Sequence, residues 1–380
     1  MTSRERVLLA LNHKEADRVP LDIGGMAQSG LHQKAYTALR NYYGLREIEP
    51  ALFNIITQAA KIDEELADLM GTDCRLAFGM WGAPSRNFPT VQSGYLAFEN
   101  EFAVGFRMPV NGGLYYDAFT HPLSDFEIAI KTYQFPNPNE KWRYEGLKAE
   151  MQVARKKNKF IVLMGMCTGV YEMGSALRGF QNYLVDILAE PKNVYYLADK
   201  ISEMKACYWE NALAEVGAYV DAINEADDMA GQRGLLFGVD AYRNLLKPYH
   251  TRIFSRVKKT APHVKCILHS CGAVYEMIPD LIEAGVDVLN PVQYSAVGMS
   301  LKQLKADFGK DIVFWGGGID TQSTLQNGTV EEIKDEVKRN IDTLAPGGGF
   351  VFSPVHIIQP SVPPENIAAM LEAVKEYGQY

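Results

Sequence analysis

The chain has 380 residues, too many for one small core, with 47% hydrophobic and 22% charged residues, a globular composition that argues against long disorder. Its 38 Lys and Arg against 46 Asp and Glu give a net charge of −8, which disfavours a nucleic-acid backbone as partner because that role needs a basic face. No run of about 18 uncharged apolar residues predicts a membrane span, and five cysteines with no export-type segment at the start fit a reducing cytoplasm.

Thr2-Ser3-Arg4-Glu5 has the capping residue and early charge of a helix N-terminus, and apolar positions at helical spacing follow over 4–12. Residues 18–25 form a short apolar run ended by Gly24-Gly25, a predicted first strand, and residues 74–78 predict another. The stretch 80–145 breaks the pattern. It is rich in Gly, Pro, Asn and aromatics, among them Trp81, Phe88, Phe98, Phe106 and Tyr116, and reads as short strands or loops inserted over one mouth of a barrel, or as surface hairpins on its wall. Apolar runs at 160–164, 219–223, 264–268, 286–289, 312–315 and 349–352 then alternate with amphipathic stretches at 191–217, 241–260, 275–284, 299–307 and 329–344. Gly285 stands where a helix C-terminal glycine belongs. Repeated strand–helix alternation with buried strands means parallel βαβ units, and eight strands predict an α/β fold of the (β/α)8 TIM-barrel type. The expected organisation is a single barrel domain over 1–380, with the insertion at about 80–145.

In such a barrel the reactive groups lie at the C-terminal ends of the strands. The residues just after the predicted strands are polar or metal-capable at most of these places: Asp22, Cys167, Glu225 and Asp227, His269 and Cys271, Asn290 and Gln293, Asp320, and His356. His269-x-Cys271 is the sharpest signal, because side chains two apart share a face of a strand and imidazole and thiolate are both zinc donors. The same pair also fits a buried cysteine beside a hydrogen-bonded histidine. A catalytic zinc needs a third protein ligand. No cysteine follows Cys271, so His356, Glu225 and Asp227 are the candidates, and His356 also reads as a core or substrate-binding histidine. The triple glycines at 316–318 and 347–349 lack both the dinucleotide spacing and a Walker lysine; they read as tight turns or as close approach to a bulky ligand. Asp320 is placed to orient a ligand, and His13, His32, His121, His250 and His263 receive no role.

Asp17-Arg18-Val19-Pro20, His269-Ser270-Cys271-Gly272, and the tail His356-Ile357-Ile358-Gln359-Pro360 running into Pro363-Pro364-Glu365-Asn366 together resemble the uroporphyrinogen decarboxylase superfamily. The resemblance covers most of the chain, least of all 80–145, and implies a (β/α)8 barrel. One branch of that superfamily decarboxylates the acetate arms of a tetrapyrrole, using arginines in the loop after the first strand; here that loop, 24–31, has none. The other branch holds corrinoid-dependent methyltransferases, which bind zinc through an HxC motif and a later cysteine shortly before a proline. His269 and Cys271 match the motif, and His356, four residues before Pro360, stands where the cysteine would be.

Residues 225–234 and 347–356 look most like methyltransferase subunits that demethylate methoxylated aromatics. The resemblance therefore implies a zinc ion on His269, Cys271 and His356, with Glu225, Asp227 or Asp320 delivering a proton or orienting the substrate. Aromatics from 80–145, with Tyr294, would hold the ring. The methyl group would pass from a small methoxylated compound to the cobalt of a partner corrinoid protein, since this chain has no DxHxxG corrinoid-binding segment. The alternatives are a cofactor-free uroporphyrinogen decarboxylase and a non-enzymatic pigment binder. A cytoplasmic protein without nucleic-acid or membrane partners is expected, with the oligomeric state, a homodimer included, left open.

Overall fold

The computed structural model describes residues 1–79 and 89–380; Trp81 and Phe88 lie outside the described residues. Seven parallel strands make the main sheet: β1 Cys74–Phe78, β2 Phe160–Met164, β3 Ala222–Ala226, β4 Lys265–His269, β5 Val288–Asn290, β6 Val313–Trp315 and β7 Phe350–Val351. Their spatial order follows the chain, and helices fill the connections. The sequence Phe160-Ile161-Val162-Leu163-Met164 shows why: every residue of β2 is buried, one set against the sheet interior and the other against helices.

Segment 20–22 joins the two edges. The Phe352 N–H donates to the Pro20 carbonyl (2.9 Å), the Asp22 N–H to the Phe352 carbonyl (2.8 Å) and the Asp73 N–H to the Leu21 carbonyl (2.8 Å). A closed (β/α)8 barrel fits this connectivity. The first strand expected at 18–25 is reduced to that short bridge because Gly24, at φ +81°, turns the chain away. The interior is packed by Val162, Ala222, Ile267, Val288, Val313 and Trp315, and Val7, Ala10 and Leu11 of the helix Ser3–Leu11 join the same cluster. That helix starts as expected, with a capping box between Thr2 and Glu5.

The N-terminal ends of the strands carry a repeated device. Asp73, Asp221 and Asp287 each accept a backbone N–H from a neighbouring strand segment, of Leu21, Ile161 and Cys266. Asp73 is fully buried and also binds Arg6 and Arg18; Asp221 binds Arg4 and Arg155. This end of the sheet serves stability.

The helix expected at 191–217 is Pro191–Val216, and Gly285 ends the helix Ile278–Ala284 in the left-handed conformation at φ +106°. The stretch 241–260 divides into Val239–Leu245 and Lys247–Thr260, with Pro248 in the first turn of the second helix, where it displaces no hydrogen bond. The strand expected at 219–223 begins three residues later, because a turn of 3-10 helix at Gly217–Tyr219 prolongs the preceding helix. That shift matters for the site.

Residues 90–120 form a separate four-stranded antiparallel sheet, Thr90–Gln92, Tyr95–Glu99, Gly105–Pro109 and Asp117–Thr120. Its inner face stacks Phe98 on Phe106 (5.5 Å between ring centroids) and sets Tyr116 edge-on to Phe98 (5.2 Å). It is tied to the rest through Tyr116 N–H to the Ile56 carbonyl (3.0 Å), and the chain just beyond it through Leu123 N–H to the Leu177 carbonyl (2.9 Å). Among the described residues no helix is long and apolar enough to cross a membrane.

Candidate metal centre

β4 ends on His269. Ile267, two residues earlier on the same strand, belongs to the sheet interior, so alternation turns the His269 side chain inward as well. Cys271 follows after one residue, and its Sγ lies 3.3 Å from His269 Nε2. His356 arrives from the far end of the chain. Its segment is pinned by Val355 N–H to the Ile319 carbonyl and by Ile358 N–H to the Gly30 carbonyl, both 3.0 Å. The imidazoles of His269 and His356 meet edge to face at 5.5 Å between centroids. One ligand atom from each of the three residues lies within 4.8 Å of the other two. Zinc with bonds of about 2.0–2.3 Å spaces tetrahedral donors roughly 3.3–3.6 Å apart, and the His269–Cys271 pair already has that spacing. The donor set, two imidazoles and one thiol, fits zinc chemically.

The surroundings prepare these donors. The Asn290 amide donates to the Trp315 carbonyl (2.7 Å), which fixes its other end as the oxygen; that oxygen lies 2.6 Å from His269 Nδ1. Nδ1 therefore carries the proton, and the lone pair of Nε2 faces Cys271 and His356. Burial and the neighbouring His269 push the His356 imidazole down to about 3, so it stays neutral, as a ligand must. Burial, then the charges of Asp228 and Glu172, raises the Cys271 thiol. The Asp228 carboxylate accepts the Cys271 N–H at 2.7 Å and lies 3.8 Å from His269 Nε2. Glu172, partly buried, accepts the Asp228 N–H, and burial together with Asp228 and Asp227 pushes its carboxyl well above the usual range. Removing the Asn290 support is expected to lower zinc affinity about 10–100-fold in Asn290→Ala while the fold is kept, measured by competition with a chelator.

The three carboxylates expected to deliver a proton or orient the substrate are each engaged by partners of the protein itself. Glu225 falls inside β3, since that strand starts late, and alternation turns it to the helical layer, where Lys205 Nζ lies 2.9 Å away and the Trp209 indole donates to it at 2.5 Å. Asp227 is fully buried and accepts the N–H groups of Tyr171 (2.9 Å) and Glu172 (2.8 Å) at the start of helix Val170–Arg178, with His250 Nε2 at 2.8 Å. Asp320 closes its own turn, taking the N–H groups of Gln322 and Ser323. Tyr294 bonds Glu336, which also anchors Asp320 and Thr324. The sequence assigned no role to His250, Glu172, Asp228 or Asn290, although Asn290 stood out as a polar residue at a strand end.

Histidine and cysteine side chains brought together beyond the ends of parallel strands make a candidate metal site at the end of the sheet where α/β-barrel enzymes carry their reactive groups. The chain belongs to the uroporphyrinogen decarboxylase (URO-D) family, whose model matches residues 103–377. It is 25% identical to a uroporphyrinogen decarboxylase of Alkalilimnicola ehrlichii, over 98% of this chain and 93% of that protein. It is 28% identical to the methylcobamide:CoM methyltransferase MtaA of Methanosarcina barkeri, over 61% of this chain and 63% of that protein. Among solved structures, a methyltransferase from Methanosarcina mazei shares the fold, with a TM-score of 0.66 at 21% identity and 99% of both chains covered.

Proposed function

We propose that the protein is a zinc-dependent methyltransferase that moves a methyl group from a methoxylated, aromatic substrate to the cobalt of a partner corrinoid protein. The observation that carries this reading is the convergence of His269, Cys271 and His356 within 4.8 Å. Methyltransferases among the relatives support it. Zinc on these three side chains would supply Lewis-acid polarisation of the ether oxygen. The methyl carbon–oxygen bond breaks as the carbon–cobalt bond forms, and the oxygen left behind needs a proton. Glu172 is the residue proposed to hold that proton, because its carboxyl is raised and its charge bears on Cys271. Asp228 orients the Cys271 backbone, and Asp227 with His250 fixes the helix start that carries Glu172. In this reading the antiparallel sheet at 90–120 is an insertion over the barrel mouth that helps to enclose the aromatic ring.

A uroporphyrinogen decarboxylase is the second reading, favoured by full-length relatives of that name. It lacks the arginines that an acidic tetrapyrrole would need in segment 24–31. The test incubates the protein with reduced cobalamin and a panel of methoxylated compounds and follows methylcobalamin by absorbance. The proposal expects methylcobalamin, a free phenol and about one zinc per chain; carbon dioxide from uroporphyrinogen without metal would instead establish the lyase.

A further inference from the structure

A cavity of about 250 Å³ lies on the outer side of the sheet, between β1 and the helices Glu64–Met70 and Leu147–Lys156. Protein interiors pack closely and hold few voids larger than a water, so a space of this size needs a cause. Side-chain size supplies it. Ala60, Ala67, Ala77 and Ala154 each turn only a methyl group to the space, and Met151 and Ile161 extend the apolar wall. Ala77 and Ile161 stand on the outward faces of β1 and β2, opposite to the face that carries His269.

The wall asks for no hydrogen bond. Thr72 Oγ1 accepts the Ile23 N–H (3.1 Å) and donates to the Leu21 carbonyl (3.3 Å). The four charged residues at the cavity cancel in pairs. Lys61 Nζ lies 2.5 Å from Glu150 Oε1, and Arg75 Nε and Nη2 lie 2.9 and 3.0 Å from the Glu64 carboxylate. None of the buried side-chain nitrogens and oxygens left without a partner among the described residues belongs to this wall. A charged ligand would have to break one of those pairs or enter unpaired, and a polar one would lose its water without replacement. An uncharged hydrocarbon pays neither penalty and gains dispersion contacts. An apolar cavity of roughly 150 Å³ already stays dry and takes up benzene.

We infer that this cavity is a binding site for an uncharged apolar molecule about the size of a methylated benzene ring. It is separate from the metal centre and independent of the methyl-transfer reading. Its wall includes Ile23 and Gly24, which follow directly on the segment that joins β7 to β1. The ligand therefore braces the closure of the barrel, and occupancy is read as stability.

The experiment is calorimetric titration of the purified protein with toluene, with benzoate and benzylammonium as charged counterparts, together with melting temperatures. Toluene is expected to bind and to raise the melting temperature, and each charged compound to bind at least about 10-fold more weakly. Ala154→Leu and Ala77→Leu fill the cavity from a helix and from a strand, so that over-packing at one position does not decide the result. Each folded variant is expected to weaken toluene by more than about 10-fold while its own melting temperature is kept or raised. No toluene binding to the unmodified protein, binding that persists unchanged in the filled variants, or equal binding of a charged compound overturns the inference.

Discussion

Cys271→Ala is expected to leave the protein folded and without zinc: metal content falls from about one ion per chain to near zero, and affinity drops by more than about 100-fold. The thiol is the one donor of the cluster that becomes an anion, and the two imidazoles alone make a weak pair of neutral ligands. Its side chain hangs from a loop after β4 and supports no core cluster, so circular dichroism and melting temperature should be unchanged. The raised thiol adds a pH signature. Without metal it is protonated at neutral pH, so zinc must displace a proton, and affinity rises by up to about tenfold per unit as pH increases. In Cys271→Ala that slope should vanish. His356→Ala should also weaken zinc, by less, because a neutral ligand is lost.

Asp73→Ala is expected to cost about 3–5 kcal/mol of stability, the largest loss among single substitutions away from the site. The Asp73 carboxylate accepts from Arg6 Nη1 (2.8 Å), Arg18 Nη1 (2.9 Å) and the Leu21 N–H (2.9 Å). Its removal leaves the buried Arg6 charge with only the half-exposed Asp17 and strips the segment that joins β7 to β1 of an anchor. Denaturant unfolding should show the midpoint falling. Asp68→Ala, which removes an exposed partner of Arg75 and Lys157, should change stability by no more than about 1 kcal/mol.

Legibility followed the physics of each element. The strands at 160–164 and 312–315 were readable because strands buried on both faces become unbroken apolar runs. Over 90–120 short strands or hairpins were readable, but not their pairing into one four-stranded sheet: the rings Phe98, Phe106 and Tyr116 form a core only after non-local pairing. In the site, His269 and Cys271 announced themselves through spacing and donor chemistry. The place of Glu225 was not legible, because a three-residue difference in the start of β3 converts a loop residue into an outward-facing strand residue, and Asn224 into the inward one. The partners of Asp227 were hidden for another reason. Its partners, the start of helix Val170–Arg178 and His250, are distant in sequence, and no local pattern reveals that a carboxylate caps another element. Asn290 was visible as a strand-end residue, but its task depends on the Trp315 carbonyl one strand away.

X-ray absorption at the zinc edge tests the central claim most directly. Zinc-loaded protein should show one sulfur at about 2.3 Å and two imidazole nitrogens at about 2.0–2.1 Å, with the remaining position light and exchangeable. His356→Ala should remove one imidazole from that shell. A zinc shell without sulfur, or one unchanged by the loss of His356, would contradict the account.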